Sequence, residues 1–178
     1  MRFRVVAIAV VASAALAVAG CAGSGSTTGA TPVVQAQPSQ LTPALPSQQE
    51  IAGLFDQWDQ ALATLDPQKV ADRYAPDAVL LPTVSNEVRT DHAGIVDYFA
   101  HFLQSKPQGK IVTHHIKILD PMNAIDTGTY EFTLNNNGRQ SVVDARYTFV
   151  YEKVGGHWLI INHHSSTMPE SQTPEGRH

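Results

Sequence analysis

The chain has 178 residues, one cysteine and a formal net charge of −4 with histidine counted neutral. A single cysteine excludes an intramolecular disulfide framework and a multi-cysteine zinc site. The acidic balance speaks against a protein that wraps nucleic acid, and the length suits one ordinary domain with something left over.

That remainder lies at the start. Arg2 and Arg4 form a positive flank, and Val5 to Ala19 is an apolar run of 15 residues broken only by Ser13. A bilayer-spanning helix needs roughly 20, so residues 1–20 read as an export signal and not as a membrane span. Val18-Ala19-Gly20-Cys21 resembles a bacterial lipobox, which implies lipidation of Cys21 at the mature N-terminus. The plain alternative is an ordinary signal cut nearby, with Cys21 an incidental thiol. Residues 22–46 carry four prolines and no charged or aromatic residue, the composition of a disordered tether. Together, residues 21–46 read as a lipidated cysteine and its linker, placing the protein on the bacterial cell membrane, lipid-anchored and extracytoplasmic. Loss of residues 1–20 removes two arginines and no acids, taking the formal charge from −4 to −6.

A folded domain is expected over residues 47–170, with a flexible tail at 171–178. Ser47-Gln48-Gln49-Glu50 is a capping box, and Ile51, Leu54, Phe55, Trp58, Leu62 and Leu65 follow at helical spacing. Asp66-Pro67 starts a short second helix carrying Val70, Ala71 and Tyr74. Ala78 to Leu81 reads as a strand, with Glu87 to Arg89 as its partner. Asp91 caps a third helix whose face is Ile95, Tyr98, Phe99, Phe102 and Leu103, closed by Lys106-Pro107. Four strands then follow: Lys110–Leu119, Ala124–Leu134, Ser141–Lys153 and His157–Thr167. Asn135-Asn136-Asn137-Gly138 and Gly155-Gly156 mark two hairpins. Helices first and a meander after make the class α+β, with the helices on one face of a curved, largely antiparallel sheet.

Three stretches carry a family resemblance. They are Trp58 through Tyr74-Ala75-Pro76-Asp77-Ala78-Val79, Ala145 to Tyr151, and Trp158 to Ser166 with Pro169. Together they resemble the nuclear transport factor 2-like, or SnoaL-like, superfamily. The ending is similar to the association domain of calcium/calmodulin-dependent protein kinase II and its bacterial relatives, neighbours of which are labelled SgcJ/EcaC oxidoreductases. The resemblance implies a cone-shaped fold enclosing a pocket, and homodimers or larger homo-oligomers. The superfamily holds isomerases, cyclases and dehydratases beside members without catalysis, so the fold leaves activity open.

Strand alternation puts Asp144, Arg146, Thr148 and Val150 on one face, and Ala145, Tyr147, Phe149 and Tyr151 on the other. The resemblance implies that Arg146 lines the pocket; the alternative is an Asp144–Arg146 ion pair with no ligand. Ser165 stands where the family's ending has an arginine, so a multi-arginine pocket is not implied. His164 matches the histidine of that ending and is the first pocket candidate, with His115 second. His114 and His163 read as packing or surface residues. The pairs His114-His115 and His163-His164 lie on the outer strands of the meander, roughly 14 Å apart, too far to share a metal. Trp58 and Tyr74 sit at helical spacing and read first as core. With Tyr130 they complete the candidate lining.

No phosphate loop, nucleophile elbow or dinucleotide fingerprint occurs, so no cofactor is expected. The expectation is a small-molecule-binding or homo-oligomeric domain that meets the membrane only through its lipid and takes no nucleic acid. The rival is an isomerase-, cyclase- or hydratase-type enzyme using His164 and Asp144, with Tyr130 or Tyr74 as hydroxyl donor.

Overall fold

Ser47 starts the first helix as read from the sequence: its hydroxyl accepts the Glu50 amide at 3.0 Å, and α1 runs Gln48–Ala63. The capping box is only half formed. The Glu50 carboxylate leaves the helix end and accepts the Trp158 indole at 2.8 Å and Lys153 Nζ at 3.4 Å, pinning α1 to the last hairpin. The structure, a computed structural model, describes residues 43–168; the export signal, Cys21, most of the tether and the expected tail lie outside the described residues.

Asp66 caps α2, Pro67–Ala71, by accepting the Gln68 amide at 3.0 Å. Tyr74, expected on this helix, instead opens β1, Tyr74–Leu81. The helix stops at Ala71 because Tyr74 is drawn into pairing with the last strand, opposite Ile160. The expected Glu87–Arg89 strand reduces to one antiparallel bridge, Leu80 to Arg89. Asp91 caps α3, His92–Phe102, which tightens into a 3₁₀ turn over Leu103–Ser105.

The four expected strands all form: β2, Gln108–Ile118; β3, Asn123–Asn136; β4, Arg139–Val154; and β5, His157–Thr167. Both hairpins turn on two residues with positive φ, Asn137-Gly138 at 54° and 84° and Gly155-Gly156 at 58° and 86°. Those angles match the tight turns favoured by right-handed strand twist. The strand order is β1-β5-β4-β3-β2, antiparallel except for the parallel β1–β5 edge. The result is a curled, unclosed sheet whose inner face takes the helices.

The inner face is aromatic. Trp58 from α1 packs edge-on to Phe99 of α3 and to Phe132 and Phe149 of the sheet, with centroids 5.5–6.2 Å apart. Gly128 marks the tightest strand approach. A Cβ there would stand 1.9 Å from the Thr113 carbonyl oxygen, so only glycine fits.

One irregularity decides the site. On β5, Asn162 pairs with Val150 and Ile160 with Tyr151, leaving Ile161 as an extra, bulged residue. Trp158 and Ile160 face inward, and strict alternation from them would turn Asn162 and His164 inward. The bulge reverses the parity, so His163 and Ser165 enter the core and His164 faces out.

Candidate functional site

Inside the curl, six polar side chains from five segments form one chain of hydrogen bonds. The Trp58 indole donates to the Tyr74 hydroxyl at 3.1 Å, and that hydroxyl lies 2.9 Å from His163 Nδ1. His163 Nε2 lies 3.4 Å from the Tyr130 hydroxyl, which donates to Ser165 Oγ at 2.5 Å. Thr83 closes the chain through its hydroxyl contact with Ser165. The Trp58 indole N–H can only donate, and Tyr130 spends its single proton on Ser165, so Tyr130 can only accept from His163. Tyr74 donates to Nδ1, the ring proton of His163 is assigned to Nε2, and Tyr130 accepts it.

Burial sets the chemistry. His163 is stacked on Phe149 with centroids 4.0 Å apart, and desolvation lowers its pKa from 6.5 to about 3, assisted by the neighbouring His164. The imidazole is therefore neutral at physiological pH. Burial likewise pushes the Tyr74 and Tyr130 hydroxyls well above their ordinary value, so both stay protonated as hydrogen-bond donors. Between this relay and the apolar side chains of Leu80, Phe99, Phe102 and Phe132 lies a cavity of about 20 Å³. A water needs roughly 10–15 Å³, so the space fits about one. No carboxylate lines it. Above the cavity an open groove of about 520 Å³ runs between the end of α3 and the Val84–Ser85 segment, with Tyr98 and Phe102 common to both.

The structure divides the expected site residues between two faces of the sheet. Trp58, Tyr74 and Tyr130 are interior, at most 2% exposed. Arg146, Asp144, His164 and His115 are exposed on the outer face. There His115, Thr127, Thr148 and His164 form one cross-strand row, and Thr113, Thr129, Arg146 and Ser166 form the next. These rows line a separate open groove of about 480 Å³. Placing Arg146, Asp144, His164 and His115 in the same pocket as Trp58 is thus corrected. Arg146 shares its strand face with Thr148, opposite the buried Ala145 and Tyr147, and His164 is turned outward by the Ile161 bulge. The alternative ion pair is absent too: among the described residues Arg146 forms none, with Asp144 or otherwise.

The residues missed from the sequence are His163, Ser165 and Thr83. A signal existed in the adjacent apolar pair Ile160-Ile161, which breaks strict alternation on β5 and marks a bulge. Among the described residues no three His, Cys, Asp or Glu side chains converge as metal ligands. The carboxyl of Asp126 is a further buried acid. It is fully buried, accepts the Tyr147 hydroxyl at 3.1 Å, and leaves Oδ2 without a partner.

Helices laid into a curled five-stranded sheet, with a polar floor inside an aromatic cone, define a protein of the nuclear transport factor 2-like class. Within that class the chain belongs to the calcium/calmodulin dependent protein kinase II association domain family, whose model matches residues 47–169. Among solved structures it is 57% identical to a protein from Xanthomonas campestris described as such an association domain, with TM-score 0.69, covering 73% of this chain and 96% of that one. An NTF2-like protein with a cystatin-like fold from Novosphingobium aromaticivorans shares the fold at 9% identity, TM-score 0.59, over 70% and 84% of the two chains. A Streptomyces avermitilis protein described as a dehydratase of the NTF2-like family does so at 13% identity, TM-score 0.60, over 68% and 95%. No curated protein sequence matches the chain.

Proposed function

We propose that the domain binds a small, mostly apolar molecule that directs one oxygen atom to the floor of the cone. The observation that carries this reading is the oriented chain from Trp58 to Thr83, ending in hydroxyls beside a cavity otherwise lined mostly by aromatic and aliphatic side chains. Uncharged donors in an apolar wall suit a neutral hydroxyl or carbonyl better than an anion, because no cation offsets desolvation there. The enzyme reading through His164 and Asp144 loses its geometry, since both side chains are exposed outside the cone. Acid–base chemistry, as in the NTF2-like neighbour described as a dehydratase, would have to draw on His163 and Tyr130 at the cavity floor, with Tyr98 on its wall and Tyr74 bonded to His163. The test uses p-cresol as probe. Thermal stabilisation that is lost in Tyr130→Phe and Ser165→Ala supports the reading, and stabilisation that survives both variants overturns it.

A second reading rests on the outer face. Arg146 stands beside Asp144, and Asp144 pairs directly opposite Glu131, so one face offers both signs of charge while Arg146 has no ion pair among the described residues. A face with both signs of charge could pair with a second copy across a two-fold axis, Arg146 of one meeting Asp144 or Glu131 of the other. Light scattering of Arg146→Glu against the parent tests it: a dimer that becomes a monomer is expected, and a monomeric parent overturns it. The lipid anchor at Cys21 and the extracytoplasmic location belong to the same proposal, supported by Val18-Ala19-Gly20-Cys21. Mass spectrometry showing an unmodified Cys21 thiol would remove them.

A further inference from the structure

The cavity above the relay has room for about one water, yet two other spaces border it. The open mouth groove is about 520 Å³, and a second small void of about 20 Å³ lies between Thr83, Phe132, Val143 and Ala145. Phe102 is the one residue that lines all three. Its ring stacks on Tyr98 at 5.7 Å and meets Phe132 edge-on at 5.7 Å and 89°, so it stands as a wall where the spaces meet.

Its position in the chain suits a moving part. Phe102 is the last residue of α3, where the backbone passes into the 3₁₀ turn, and its carbonyl accepts the Ser105 hydroxyl at 2.7 Å. The side chain is half-buried, in contrast to Phe99 one turn earlier, which is 1% exposed. A ring at a helix end, with open groove on one side and void on the other, can change rotamer without displacing packed backbone.

We propose that Phe102 is a gate: rotation of its ring joins groove, void and floor into one channel that admits a flat aromatic ligand carrying a single hydroxyl or carbonyl oxygen. The ligand's ring would take the space between Tyr98, Phe132 and Leu134, and its oxygen would reach Ser165 and Tyr130. The gate stands on the geometry of the three spaces; the ligand class rests on the function proposed above.

Trp58 lines the floor cavity and is 2% exposed, so it reports on the gate without any ligand. The sequence has two tryptophans, and Trp158→Phe leaves Trp58 as the sole emitter. In that background the acrylamide quenching constant of Phe102→Ala should rise severalfold over the parent, with folding checked by far-UV circular dichroism. Val150→Ala, a truncation on the outer face, should leave it unchanged. Should the alanine variant fail to fold, Phe102→Leu is measured instead, with a smaller rise expected. Quenching of a folded Phe102 variant equal to the parent's overturns the gate, as does an equal rise in Val150→Ala. p-Cresol binding separates the two ideas. Enhanced quenching with tighter p-cresol binding supports both. Enhanced quenching without p-cresol binding leaves the gate standing and removes the ligand reading. p-Cresol binding with unchanged quenching does the reverse.

Discussion

Replacing His163 by phenylalanine should lower stability at neutral pH and raise it in acid, relative to the parent. At pH 7 the variant loses the bonds to Tyr74 and Tyr130 but keeps the ring stacked on Phe149. Tyr130 still donates to Ser165, but Tyr74 only accepts from Trp58 and its buried hydroxyl proton loses its acceptor, so the cost is about 2 kcal/mol, that of one orphaned donor. Acid works the other way. The native ring titrates at about 3 against 6.5 in the reference state. Below about pH 6.5 the unfolded chain binds a proton that the native state refuses, so stability falls as pH drops and the loss is complete near pH 3. At ~1.4 kcal/mol per pH unit, the parent loses about 2 kcal/mol by pH 5 and about 5 kcal/mol in all. The two stability curves should therefore cross at about pH 5. Urea midpoints measured from pH 4 to 7.5 read this directly. A constant difference between parent and His163→Phe across that range would refute the reasoning, because it would mean the ring titrates alike in both states.

Gly128→Ala should cost about 3 kcal/mol or more, since its Cβ meets the Thr113 carbonyl and only a backbone shift of β2 relieves it; equilibrium unfolding gives the value. Asp126→Asn should change the pH dependence with the opposite sign to His163. Burial raises the native carboxyl, so the native state holds its proton longer, and parent stability falls as pH rises from the ordinary carboxylate range. Asparagine has no proton to lose, so the variant should gain on the parent between pH 4 and 7 in thermal melts. Ser47→Ala removes the α1 cap and should cost about 1 kcal/mol, lowering Tm by about 4 °C.

Helix starts were legible because capping is local: Ser47, Asp66 and Asp91 each bond an amide two or three residues ahead, whatever the rest of the chain does. The two hairpins were legible for the same reason, glycine and asparagine being the residues that reach positive φ cheaply. The partner of Glu50 was not, because Trp158 is 108 residues away and nothing local ranks it above the helix's own amides. The end of α2 failed similarly. Tyr74 has acceptable helical spacing, and only pairing with β5 takes it into a strand.

The sequence by itself determined the α+β order, the capped helices, the meander and the aromatic character of one face of β4, all of which follow from short-range periodicity. It also picked out Trp58, Tyr74 and Tyr130 as candidates that do meet in the interior. Tertiary structure decided which histidine joins them. A strand shows its two faces equally to a reader of the sequence, and one extra residue exchanges them. The bulge at Ile161 is an outcome of pairing with β4 and β1, and it sends His163 and Ser165 to the floor of the cone while His164, Arg146 and Asp144 remain on the outer face.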